Sequence, residues 1–167
     1  GYTDCIGEIA RRGHTVGIHS ASHDYNVIYQ SEEAYFSDLC RMQEIIFEQT
    51  GEYARLVRFP GGSSNTVSCY NPGIMSRLTS DLNDMGYAYF DWNVSAADTA
   101  SNATRYTVIE NIKEGVPQHD YSVVLQHDTN GFSVDAVEEI LTWGIQNGYS
   151  FRALDLTSPA VHHSVAN

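Results

Sequence analysis

An α/β fold with parallel strands is what this sequence predicts, on three observations. Short apolar runs recur along it: Thr15–Ile18, Leu56-Val57, Tyr87–Phe90, Ser122–Leu125 and Phe151–Leu154. Longer stretches with apolar residues at helical spacing lie between them. The first four lead into polar residues able to do chemistry, as strand ends do in open sheets and in barrels of alternating strands and helices. The predicted order is α-β-α-β-α-β-α-β-α-β, an alternation in which sequential strands pair in parallel.

The chain opens on a helix, with no strand before it. Ile6, Ile9 and Ala10 repeat at helical spacing between Thr3 and Arg12, and Arg11-Arg12-Gly13 supplies a basic end and a stop. Thr15-Val16-Gly17-Ile18 then reads as a short buried strand. Ser31-Glu32-Glu33 starts the next helix, whose period Leu39, Met42, Ile45, Ile46 and Gln49 keep up to Gly51. Leu56-Val57 is a short strand leading into Arg58-Phe59-Pro60-Gly61-Gly62-Ser63. Asn71-Pro72-Gly73 opens a helix with Pro near its first turn, which runs through Ile74, Leu78 and Leu82 and stops at Gly86. Tyr87–Phe90 is a strand ending at Asp91-Trp92-Asn93. A polar loop follows, and then a helix from Arg105 to Lys113. Ser122-Val123-Val124-Leu125 is apolar after its first residue, which suits burial on both faces. The last helix, Ser133 to Asn147, closes at Gly148, and Phe151–Leu154 is the final strand.

The 167 residues suffice for one domain with a real core. A net charge of -12 argues against nucleic acid and anionic membranes as partners. No apolar run reaches the length of a bilayer span. Cys5, Cys40 and Cys69 are odd in number and lack CxxC spacing, so they predict buried free thiols rather than a disulfide scaffold or a cysteine-zinc site.

The polar strand ends make one list: His19, His23, Arg58, Asp91, Asp98 and His127. In this architecture such ends converge on one face. His19-Ser20-Ala21-Ser22-His23 places two imidazoles four residues apart with only small residues between. They are either a shared metal site or two polar loop residues. Arg58 through Gly62 is either a plain turn or a site. As a site, its arginine grips a carboxylate and the Gly61 amide meets an oxyanion. His127, directly after an apolar strand, is a general acid or base, or an ordinary loop histidine. Asp98 either solubilises its loop or tunes such a histidine. Trp92 is core or a substrate platform. Asp24, Asp128, His14, His119, His162 and His163 read as surface residues or supporting neighbours.

These residues carry a family resemblance. His19 to His23 matches the H-[ST]-x-x-H motif of the polysaccharide deacetylases, the NodB-homology or carbohydrate esterase family 4 proteins. Arg58-Phe59-Pro60-Gly61-Gly62 resembles their R-x-P-x-G segment. Trp92 through Asp98 is similar to their W-x-x-x-x-x-D-W stretch, and Leu125-Gln126-His127 matches their L-x-H. The four stand in family order and cover most of the chain.

The resemblance implies a distorted (β/α) barrel that removes N-acetyl groups from peptidoglycan or chitin oligomers, or O-acetyl groups from xylan, outside the cytoplasm. It implies a divalent metal, zinc first, held by His19, His23 and an Asp. The metal activates water and polarises the acetyl carbonyl. In the same scheme Gly61 shares the oxyanion and Arg58 orients the base. His127 protonates the leaving amine with Asp98 tuning it, and Leu125 and Trp92 line the acetyl pocket.

Two departures stand out. The family's Asp-Asp pair, source of the base and the third ligand, has no counterpart, for no Asp-Asp dipeptide occurs in the sequence. Thr99 stands where the family has the Trp of Asp-Trp. On that register the chain starts at the helix before the family's third strand. Residues 1–167 are then one domain, the C-terminal portion of a barrel without its first two strands. An open sheet edge of that kind predicts self-association. The rival expectation is a non-catalytic carbohydrate-binding relative.

Overall fold

The computed structural model describes residues 4–167, which gather into two compact units. One comprises the residues up to Asp91 together with Ala153–Asn167, and the other is Trp92–Arg152. Thr3, the expected start of the first helix, lies outside the described residues.

The first unit contains α1 (Cys5–Arg11), α2 (Tyr25–Ile28), α3 (Glu32–Thr50), β1 (Leu56–Val57), α4 (Ile74–Asp84) and β2 (Ala88–Tyr89). β1 and β2 pair in parallel, Leu56 beside Ala88 and Val57 beside Tyr89. The expected strand at Thr15–Ile18 is reduced to one parallel bridge between Ile18 and Val57. The Ile18 N–H donates to the Leu56 carbonyl (2.8 Å) and its own carbonyl accepts from Arg58 N–H (2.9 Å). Gly17 makes that approach possible, since a Cβ there would lie 3.1 Å from the Leu56 carbonyl oxygen.

The helix bounds follow local chemistry. Ser31 Oγ accepts from Ala34 N–H (3.1 Å) at the start of α3, and Gly51 ends it at φ +74°, where a side chain would be strained. The buried stripe of α3 carries Tyr35, Leu39 and Ile46, and with them two polar residues, Asp38 and Gln43. Gln43 both donates to and accepts from the backbone of Ala54 (2.9 Å each), just ahead of β1. The core around these elements includes Ile18, Ile28, Tyr29, Phe59, Leu78 and Leu82.

Residues 153–167 carry no helix or strand but are hydrogen-bonded throughout the first unit. The Val161 carbonyl accepts from Asp91 N–H (2.8 Å), and His162 stacks on Tyr89 with ring centroids 3.8 Å apart. α4 begins after Gly73, which has no side chain to cap it. Asn167 does so instead: its Oδ1 accepts from Met75 N–H (3.1 Å) and its carbonyl from Ser76 N–H (2.8 Å).

The second unit contains β3 (Val94–Ser95), α5 (Arg105–Gly115), a 3-10 turn (Val116–Gln118), β4 (Val124–Leu125), α6 (Gly131–Val134) and α7 (Val137–Gln146). β3 and β4 pair in parallel, Val94 beside Val124 and Ser95 beside Leu125. Its core is Ala96, Val108, Ile109, Ile112, Ala136 and Ile140.

Four expectations are corrected. Val124 and Leu125 are half-buried, and Val123 is the buried residue of that run, so the strand is not enclosed on both faces. The last helix is two helices, because the Ser133 carbonyl accepts from the Gln126 side chain (2.7 Å) and from Ala136 N–H (3.2 Å), a tighter turn. Phe151–Leu154 forms no strand. The Phe151 ring instead sits over Gly144, where a Cβ would come within 2.5 Å of it. The three cysteines are free but exposed, because they fall on the outward faces of their segments.

Ser31→Ala tests how far local capping holds α3. The expected loss is about 1 kcal/mol, which lowers the melting midpoint by roughly 2–4 °C in a chain of this size. An unchanged midpoint in calorimetry would mean that water serves the Ala34 amide equally well.

Candidate functional site

In the first unit the histidine loop leaves the sheet directly after Ile18. His19 Nδ1 lies 2.8 Å from the Arg58 carbonyl oxygen. A carbonyl only accepts, so Nδ1 carries the proton and Nε2 of the neutral ring carries the lone pair. The His19 and His23 rings lie 5.1 Å apart, and His23 packs edge-on against Tyr25 at 5.2 Å. His23 has φ +52°, a conformation uncommon outside glycine and found where the surroundings impose it.

Those surroundings centre on Asp38, a buried carboxylate that the sequence reading passed over. Its Oδ2 accepts from Ser20 Oγ (2.6 Å) and Ala21 N–H (2.8 Å), and its Oδ1 from Ser22 N–H (2.9 Å). Ser20 Oγ in turn accepts from His23 N–H (2.8 Å). Burial pushes the Asp38 carboxyl up, but the bonds from residues 20–22 outweigh it and hold it below the ordinary carboxylate range. The available signal was an acid standing on the apolar stripe of α3.

Arg58 donates from Nε to the Phe90 carbonyl and from Nη2 to the Asp91 carbonyl, both at 3.2 Å. Burial pulls its guanidinium below its usual value, and the Asp91 charge opposes that pull. Gly61 and Gly62 follow at φ +76° and +80°. A Cβ on Gly61 would lie 2.9 Å from that of Asn65 and 3.7 Å from the Tyr25 ring. The loop is therefore turned toward the ring on which His23 rests.

Asp91 is fully buried. It accepts from Ser63 N–H (2.7 Å), Ser63 Oγ (2.5 Å) and His163 N–H (2.8 Å), and so ties the glycine loop to the C-terminal segment. His163 Nδ1 also pairs with Ser64 Oγ (2.9 Å). Ser63 is a further supporting residue that spacing alone did not reveal, and His163, expected at the surface or as a supporting neighbour, is bound to Asp91 and Ser64. Asp24 caps α2 by accepting from Asn26 N–H (3.0 Å).

In the second unit Asp98 and His127 form a dyad. His127 Nδ1 lies 2.8 Å from Asp98 Oδ1, and Asp98 Oδ2 accepts from His127 N–H (2.6 Å) and Ser133 Oγ (2.7 Å). Asp98 is 2% exposed. Burial pushes its carboxyl up, yet the bonds from Ser133 and His127 hold it below the ordinary range. A carboxylate on Nδ1 fixes that nitrogen as the donor and leaves Nε2 for chemistry. Ala97, just before Asp98, is the second non-glycine residue at positive φ (+49°) among the described residues. Trp92 and Leu125 are half-buried in this unit.

Among the described residues no group of three or more His, Cys, Asp or Glu side chains is arranged to hold a metal ion. His19 and His23 fit as two ligands, with adjacent rings and, for His19, a tautomer set by a backbone carbonyl. That is one fewer than the three protein ligands catalytic zinc sites use. No described helix is long and apolar enough to cross a membrane.

Residues 1–89 match the sequence profile of a family described as polysaccharide deacetylase. The chain is 27% identical over 157 residues to the peptidoglycan-N-acetylglucosamine deacetylase of Bacillus cereus, covering 91% of this chain and 54% of that protein. It is 26% identical over 143 residues to the peptidoglycan-N-acetylglucosamine deacetylase PgdA of Listeria monocytogenes, covering 86% of this chain and 27% of that protein. The chain thus spans about half the length, or less, of these relatives. Among solved structures it resembles the catalytic domain of peptidoglycan N-acetylglucosamine deacetylase from Eubacterium rectale. That match has a TM-score of 0.97 and 54% identity over 99% of this chain and 76% of that one.

Proposed function

The chain belongs to the polysaccharide deacetylase family, and on that premise we propose that it hydrolyses acetyl groups from an acetylated polysaccharide outside the cytoplasm. Peptidoglycan is the first candidate substrate, with chitin oligomers and acetylated xylan behind it. Residues 1–167 are read as one domain of the family's distorted (β/α) barrel. The observation that carries the reading is the dyad: a buried carboxylate with three bonded donors, one of them the Nδ1 of a histidine that follows β4.

In hydrolysis the oxygen of water bonds to the acetyl carbon and the carbon–nitrogen bond breaks. The amine leaves with a proton, and acetate is released. His127, held through Nδ1 by Asp98, delivers that proton from Nε2. The Gly61 amide, in a loop whose positive φ only glycine adopts readily, receives the developing oxyanion. In the family scheme the base of the Asp-Asp pair takes the water proton and Arg58 would orient it, while Trp92 and Leu125 line the acetyl pocket. His19 and His23 hold a divalent cation, zinc first, whose chemistry when bound is to acidify water and polarise the carbonyl.

The second reading is a non-catalytic carbohydrate-binding relative. Two measurements separate them. Calorimetric titration of zinc should show weak binding that His19→Ala abolishes, and equal affinity in both proteins removes the pair from the site. Acetate release from N-acetylglucosamine oligomers should accompany zinc binding in the enzyme. Oligomer binding without acetate identifies the binding relative.

A further inference from the structure

We infer that Asp38 is a positioning residue for the histidine pair, fixing the bite of His19 and His23 without touching either ring. This rests on the metal reading above.

Between the two histidines lie three residues, and the carboxylate of Asp38 accepts from each of them: from the Ser20 hydroxyl and from the Ala21 and Ser22 amides. The remaining amide, His23 N–H, is taken by Ser20 Oγ, whose own proton points at Asp38. One carboxylate thus fixes the donors that lead from the first ring to the second, directly or through one hydroxyl. An ionised carboxylate has two oxygens that only accept, so it can serve three donors at once; an amide of the same size cannot.

The loop this cage holds is not one a free chain would adopt. His23 stands at φ +52°, a conformation that residues other than glycine rarely adopt unless their surroundings impose it. The strained backbone brings the two rings to 5.1 Å, so the cage and the approach of the rings are one feature. Asp38 is also anchored on the far side. It is 6% exposed on the buried stripe of α3, a helix capped at both ends, so the carboxylate is held by a rigid element rather than by the loop it organises.

Asp38→Asn keeps the size but turns an NH₂ toward three donors. Ser20→Ala removes only the link to His23, and Ser20→Thr keeps a hydroxyl there. Zinc affinity, measured calorimetrically on the folded chain, should fall roughly tenfold or more in Asp38→Asn and Ser20→Ala, and Ser20→Thr should restore most of it. A metal-free readout accompanies this: the proton NMR contact between the His19 and His23 rings should weaken in Asp38→Asn and Ser20→Ala and persist in Ser20→Thr. Should Asp38→Asn fail to fold, Ser20→Ala carries the test. Unchanged zinc affinity and an unchanged ring contact in Ser20→Ala overturn the inference. If wild type and His19→Ala bind zinc equally, the metal reading fails, and the ring contact alone then decides whether Asp38 sets the geometry.

Discussion

In the complete protein, with His127 as the proposed general acid, His127→Ala should lower turnover by roughly 10²–10⁴-fold, the range general acid catalysis supplies, while metal content stays that of wild type. The dyad explains the separation. His127 is bound to Asp98 through its ring and its backbone, and Asp98 is bound again by Ser133. Both of those His127 bonds run to Asp98, which is not a proposed ligand. Removing the imidazole therefore deletes the proposed proton donor without deleting either proposed ligand. Turnover and metal content are read on the same preparation. Loss of metal would make His127 a ligand, and unchanged turnover would make it a bystander. A less reactive leaving group should suffer more than an activated ester, which departs without a proton; equal losses on both would argue against the acid role.

The largest stability effect should come from Asp91→Ala. The carboxylate is fully buried and serves two backbone amides and a hydroxyl. Taking it away removes the acceptor of the buried Ser63 N–H and of the half-buried His163 N–H, at roughly 1–3 kcal/mol for a fully buried group and less for a half-buried one. A loss of about 3 kcal/mol or more is expected, equivalent to a midpoint lower by roughly 6–12 °C at this size. Ser63→Ala, which keeps both amides bonded, should cost only about 1 kcal/mol. If the two variants melt alike, the amides find other partners and Asp91 is not the tie between the glycine loop and the C-terminal segment.

What could be read from the chain was what short range decides. Ser31 and Gly51 bound α3 because a cap and a left-handed stop act within one turn. Leu56-Val57 was legible because both residues are buried between helical stretches. β3 was not, since Val94-Ser95 alternates buried and exposed inside a polar stretch and owes its pairing to Val124 and Leu125 thirty residues on. Phe151–Leu154 had the composition of a strand but found no ladder, its leading ring being used on α7. The site divides the same way. His19, His23, Arg58 and His127 announce themselves by residue type and by following apolar runs. Asp38, Ser63 and Ser133 are ordinary residues in sequence, tied to the site by partners 16 to 35 positions away. Hydrogen-bond acceptors chosen across such distances leave no local pattern.

The return of residues 153–167 to the first unit bears on how the protein is made. Asn167 caps α4 by bonding Met75 and Ser76, residues synthesised 92 and 91 positions earlier. His163 completes the set of donors on Asp91 from 72 positions away. A chain emerging from the ribosome therefore exposes α4 without its cap, and the glycine loop without its anchor, while the whole of residues 92–152 is still being translated. The second unit is contiguous and meets no such wait. It can reach its native contacts first, and the first unit locks only once residues 153–167 have been made.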